Sequence, residues 1–206
     1  MEALKNKYPI QIWDPYISFD KSKYKIKKST KYRTLYTSLN DKSRVIEIFD
    51  DNSINQIIYK KDKIKQDGFS KFKLKNNILS EVVSYKNDKI CSINSEPSII
   101  VYKEKKLYSL TWTKDAVVSN FEGPAKIVFG DRLIRESYFI NGTQLPEYAF
   151  HNMKSRIFNK NYEDISKIKS EVLLSLYKEF AEYFRAQEMV DYVDSIIIAN
   201  KLEKNF

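Results

Sequence analysis

Lysines stand at alternating positions in two short runs. Lys21, Lys23, Lys25 and Lys27 form the first, with Tyr24 and Ile26 between them; Lys71, Lys73 and Lys75 form the second, around Phe72 and Leu74. Lys60, Lys61, Lys63 and Lys65 crowd the predicted connecting loop between these runs. In a strand, alternate side chains point to opposite faces, so each row of ammonium groups is expected to stand opposite buried residues. Such a surface offers point charges to a phosphate backbone, and every neutralised phosphate releases counterions. Lys outnumbers Arg 30 to 6, so bidentate reading of base edges is poorly served. Nucleic-acid binding here would be sequence-nonspecific. A lysine-lined face also keeps a sheet soluble and guards its edge, and it suits an acidic protein partner. These three readings stay open at the level of sequence.

Other chemistries find less support. Cys91 and His151 are the one Cys and the one His, far apart in the chain, and cannot make a zinc set. Asp50-Asp51-Asn52 lacks the alternating ligand spacing of a calcium loop and reads as a turn. His151 follows Phe150 in a predicted helix, and no strained nucleophile motif accompanies it. The 4 glycines do not make a phosphate-cradling loop. Asn141-Gly142-Thr143 matches a glycosylation sequon, but Asn-Gly is first of all a tight turn between strands. No catalytic residues, metal or cofactor are expected.

Composition sets the frame for these residues. The chain has 206 residues, 42% apolar and 31% charged, with 15 Tyr and 12 Phe to fill a core. That is ordinary for one globular domain. No apolar stretch approaches the roughly 18 residues of a membrane span, and Met1 to Lys5 has no apolar signal region. The single cysteine fits a reducing, cytoplasmic setting. The usage of 30 Lys, 24 Ile and 15 Asn is that of A/T-rich codons, which discounts the net charge of +9 as a functional sign. Its distribution is more telling: residues 21–75 hold 16 basic and 6 acidic groups, whereas 76–150 and 151–206 each hold 9 of both. Codon bias would spread the excess.

Four aromatic residues mark a period of about 26 residues: Tyr59, Tyr85, Trp112 and Tyr138. Each closes an apolar run, and a short polar stretch follows, such as Lys86-Asn87-Asp88-Lys89 or Asn141-Gly142. Pro97 and Pro124 occupy matching positions ahead of a second apolar run. Short runs joined by Asn, Asp and Gly predict hairpins. Parity places Ile57 with Tyr59, Val83 with Tyr85 and Leu110 with Trp112 on one apolar face, and Gln56, Ser84, Ser109 and Thr111 on the other. A one-sided sheet must cover its apolar face.

The C-terminal segment is expected to supply that cover. Pro146 suits a first helical position before Glu147 to Ile157. Asn161 and Asp164 suggest a cap, after which Ile165, Ile168, Val172, Leu176, Phe180 and Phe184 follow helical spacing. The pattern weakens at Arg185-Ala186-Gln187 and resumes at Val190, which predicts a bend or second helix. Pro9 to Pro15 reads as an extended arm anchored by Trp13.

Residues 112–150 carry Trp112, then Ser119-Asn120-Phe121-Glu122-Gly123-Pro124-Ala125, Ile127, Ser137-Tyr138-Phe139-Ile140-Asn141-Gly142, Glu147 and Phe150. This pattern resembles a repeat of uncharacterised bacteriophage and giant-virus proteins, loosely related to MORN-type repeats. The resemblance covers roughly 40 residues; earlier repeats keep the rhythm but have lost Gly-Pro-Ala. It implies antiparallel hairpin repeats and a viral or phage origin, hence a host cytoplasm, and it implies no activity.

The expected fold is therefore α+β: an antiparallel sheet of tandem β-hairpin repeats with C-terminal amphipathic helices. Residues 1–20 form an arm, 21–145 the hairpin repeats, and 146–206 a helical segment packing on the sheet or on a partner. The expected role is a non-catalytic protein-interaction module; the alternative is nonspecific polyanion binding through 21–75. The sequence leaves the oligomeric state open.

Overall fold

A computed structural model of the chain describes residues 21–31, 33–39, 44–49, 54–61, 64–130 and 133–203. The predicted arm with Trp13, the Asp50-Asp51-Asn52 turn and Lys63 lie outside the described residues.

The strands are β1 (Tyr24–Ser29), β2 (Arg33–Ser38), β3 (Arg44–Phe49), β4 (Ile54–Lys61), β5 (Ile64–Lys65), β6 (Gly68–Lys75), β7 (Ile78–Lys86) and β8 (Lys89–Ile90). They continue as β9 (Ile99–Lys103), β10 (Lys106–Thr111), β11 (Thr113–Lys114), β12 (Val117–Val118), β13 (Lys126–Phe129), β14 (Ile134–Ile140) and β15 (Thr143–Leu145). The helices are α1 (Glu147–Phe158), α2 (Tyr162–Ser166), α3 (Glu171–Tyr183) and α4 (Gln187–Glu203). Among the described residues, thirteen strands form one antiparallel sheet in the order β1-β2-β3-β4-β6-β7-β9-β10-β13-β14-β15, with β5 and β8 paired to β4 and β7. No described helix is long and apolar enough to cross a membrane.

Local sequence explains the turns. Asn76-Asn77, Asn87-Asp88, Glu104-Lys105, Asp115-Ala116 and Asn141-Gly142 all have positive φ at both positions, the conformation of a two-residue turn whose twist matches the strands it joins. Asn, Asp and Gly enter that region cheaply; Glu104, Lys105 and Ala116 do not. The short hairpins hang on one another: Ala116 N–H donates to Ile90 O at 2.7 Å and Gly142 N–H to Val118 O at 2.9 Å.

Directly paired residues of antiparallel strands share a face. Ile57, Phe72, Val82, Ile100, Leu110 and Ile127 are successive cross-strand partners, and none is more than 5% exposed. Each such side chain stabilises the fold by about 1.5–3 kcal/mol on burial. Tyr59, Leu74, Leu79, Tyr102 and Trp112 join the same core. The Trp112 indole N–H reaches the carbonyl of Ser95, 2.9 Å away, and so fixes the loop before β9 over the core.

Tyr85 departs from the expected parity. Val82, not Val83, continues the apolar row, so Val83 and Tyr85 face the opposite side from Tyr59 and Trp112, and Ser84 lies on the apolar side. The cause is a register shift between the Lys73–Glu81 and Leu74–Leu79 pairs, which leaves Ser80 as an extra residue. A one-residue slip turns every later side chain over. Tyr85 is nonetheless buried, paired with Gly68, which has no side chain and a φ of +92.

The helices pack at one end of the apolar face. A second core contains Phe121, Tyr138, Ile140 and Leu145 with Phe150, Met153, Tyr177 and Phe180. Among the described residues the main helix–sheet contact is that of α1 with β14, and Tyr138, Ile140 and Leu145 of β14 and β15 share this core with the helices. Pro146 is the cap residue preceding α1 rather than its first residue. The run from Asn161 to Phe184 is not one helix: α2 ends at Ser166, and the Ser170 hydroxyl starts α3 by accepting from Leu173 N–H at 3.3 Å. Asn161 caps α2 through Asp164 N–H, as expected. The break near Arg185, with φ of +55, separates α3 from α4.

Candidate interaction surface

The second face of the sheet is less polar than parity predicted. One row runs Lys71, Val83, Ile99, Thr111, Lys126 and Ser137. The next runs Lys73, Glu81, Val101, Ser109, Val128 and Arg135. Ile99, Val101, Thr111 and Val128 are half-buried there and Val83 and Ser109 buried, and among the described residues no helix makes extensive contact with β7, β9, β10 or β13. Runs such as Ile99-Ile100-Val101 are apolar at every position, so alternation could not assign their faces. A third row at the turn end pairs Lys75 with Ile78 and Lys103 with Lys106.

The lysines singled out by sequence are not one surface. Lys71, Lys73 and Lys75 do alternate with buried Phe72 and Leu74 in β6. In the first run, Lys21 and Lys23 belong to a 3-10 turn rather than a strand. An irregularity between Ile26 and Lys28 then interrupts the alternation around Lys27, and Ile26 is 62% exposed instead of buried. Lys25 and Lys27 are exposed on β1, the edge strand. Cationic side chains and a bulge at an edge deter strand addition. Lys60 and Lys61 are in β4 and Lys65 in β5, a paired ribbon in place of the expected loop.

Lys65 and Lys73 have carboxylate partners. The Lys65 ammonium donates to Asp88 Oδ1 at 2.7 Å and lies 4.5 Å from the Tyr85 ring centre. It holds the Asp88 carboxyl below its ordinary range, with help from the Lys65 backbone N–H. Lys73 pairs with Glu81 at 2.6 Å across the second face.

Two further clusters bring a tyrosine hydroxyl against carboxylates. A groove of about 170 Å³ lies between Cys91, Trp112, Lys114, Asn120, Glu122 and Tyr183. There Phe121 stacks on Tyr183 at 4.6 Å, and the Tyr183 hydroxyl donates to Glu122 Oε1 at 2.8 Å. Burial, then Glu122, pushes that phenol up to about 12. These contacts tie α3 to the loop before β13. At the start of α1, the Tyr138 hydroxyl donates to Glu136 Oε2 at 3.1 Å and lies 3.4 Å from Glu147 Oε1. Burial, followed by the two carboxylates, raises its pKa strongly. The exposed His151 is 3.9 Å from Glu147 and edge-on to Tyr138 and Phe150. A phenol in its neutral form and an imidazole packed on rings hold α1 against β14. Among the described residues, no group of three His, Cys, Asp or Glu side chains is arranged to hold a metal ion.

Comparisons of the chain with protein-family models, with curated proteins and with solved structures gave no match.

Proposed function

We propose that this chain is a non-catalytic protein-interaction module, an accessory protein of viral or phage type, in which hairpin units of about 26 residues build a sheet for another protein to lie on. The observation that carries the reading is the half-buried group Ile99, Val101, Thr111 and Val128, on a face with which, among the described residues, no helix makes extensive contact. In this reading residues 21–145 are the repeat unit and 146–206 its helical end. The positive-φ turns after β7, β11 and β14, hung on one another through Ala116 and Gly142, support a repeating unit. Extended repeat surfaces commonly serve binding.

Polyanion binding through residues 21–75 is the weaker reading, because Lys65 and Lys73 already face carboxylates. Isolation of the tagged chain from its native cell, with and without nuclease, tests the proposal. The expected result is a reproducible protein partner that survives nuclease. No partner, or one released by nuclease, overturns it. Polyanion binding would instead show affinity falling linearly with log salt, with a shallower slope after charge reversal at Lys71, Lys73 and Lys75.

A further inference from the structure

We infer that the second face of the sheet is a seat for an acidic amphipathic helix of a partner protein. The inference rests on the interaction-module reading and adds the chemistry of the partner. The aliphatic field of Ile99, Val101 and Val128 lies on β9 and β13, and cations border it at β13–β14 and at the turn end. Lys126 and Arg135 stand on β13 and β14, and Lys75, Lys103 and Lys106 at the turn end, whereas Lys71 and Lys73 on β6 are already engaged. Glu81 is the acidic side chain within the two rows, and Lys73 already meets it at 2.6 Å. The surface is therefore aliphatic at its centre and positive along its β13–β14 edge and its turn end.

Its size suits a helix. From Lys71 to Lys126 there are four strand spacings, roughly 19 Å at about 4.8 Å each. A helix of about 13 residues has that length. Laid across the strands, its apolar stripe would meet Ile99, Val101 and Val128, and acidic flanks would meet the rim.

Charge and side-chain type separate this occupant from its rivals. Sheets that bind single-stranded nucleic acid stack bases on aromatic rings; the two rows of this field carry Val, Ile, Thr and Ser instead. Face-to-face pairing of two copies would set one rim of Lys and Arg against another, which electrostatics disfavours.

Fluorescence anisotropy with a labelled 18-residue peptide tests the inference. The probe has Leu at helical i, i+3, i+4 and i+7 spacing and Glu on both flanks; a second peptide carries Lys in place of Glu, and oligo-dT of 20 nucleotides serves as competitor. The acidic peptide is expected to bind and the basic one not. The double variant Lys126→Glu/Arg135→Glu, at exposed positions that leave the core intact, is expected to weaken binding at least tenfold, as is Val101→Asp. Lys25→Glu, on the far edge strand, should leave it unchanged. No binding of the acidic peptide, equal binding by the double variant, displacement by oligo-dT, or a concentration-dependent dimer in sedimentation that the double variant abolishes would each overturn the inference. A nuclease-resistant cellular partner that the double variant still retains would sink this surface while leaving the module reading intact. Loss of both the partner and peptide binding in the wild-type chain would sink both.

Discussion

Single residues divide sharply by row. Ile100 is fully buried between Val82 and Leu110, so Ile100→Ala leaves a cavity the ladder cannot close. Urea unfolding is expected to show a loss of about 2–5 kcal/mol. Ile26→Ala, at an exposed edge position, should stay within about 0.5 kcal/mol. Asp88 supplies the residue-scale dependence on pH. Its folded pKa is depressed, so its contribution is present above the unfolded value near about 4 and is lost as pH falls through the folded one. In a carboxyl NMR titration Asp88 should titrate below the ordinary range, and Lys65→Ala should move it back toward that range but not all the way, since the backbone N–H of residue 65 still donates. Tyr183 has the opposite sign. Its folded pKa, about 12, exceeds the ordinary phenol value, so its contribution is complete below about pH 10 and is lost as pH rises through 12. Glu122→Gln should lower that endpoint in a phenolate absorbance titration.

Elements owe their limits to a few side chains. Ser170 starts α3 by accepting from Leu173 N–H, and Ser170→Ala should cost about 1 kcal/mol. The Glu104-Lys105 turn holds two L-residues at positive φ, each at a cost of roughly 1 kcal/mol. Replacement by Asn-Gly should raise stability by about 1 kcal/mol, read as a higher melting temperature, with the β9–β10 register unchanged. Most of this level was legible in the sequence. Asn76-Asn77, Asn87-Asp88 and Asn141-Gly142 announce their turns because those residues enter the left-handed region at little cost; Pro146 announces α1, and the apolar spacing that resumes at Val190 announces α4. The Ser80 bulge was not legible: Ser80 and Glu81 are ordinary strand residues, and only the pairing with Lys73 and Leu74 shows that one is extra. The face of Tyr85 was misread for that reason.

At the scale of the whole molecule, the sheet and the helices keep separate cores. One runs from Ile54 to Ile127 and the other joins Tyr138 and Ile140 to the helices. Phe150 is fully buried in the second and touches Tyr138 and Phe180 at ring distances of 4.9 and 5.3 Å. Phe150→Ala should cost about 3–5 kcal/mol of packing. In hydrogen exchange the loss is expected in α1, α3 and β14–β15, while amides of β6, β7 and β9 keep their protection. Uniform deprotection would show that the two cores unfold as one.

The sequence by itself determined the short-range features: strands of alternating and continuous apolar residues, Asn- and Gly-based turns, helices after Pro146, and a basic excess confined to residues 21–75. Each depends on groups a few residues apart, so local patterning specifies it. Only the tertiary structure decided which face each strand presents, which lysines meet a carboxylate, and where the helices dock. Those outcomes depend on register between strands distant in sequence, and one extra residue in β7 is enough to reverse a face.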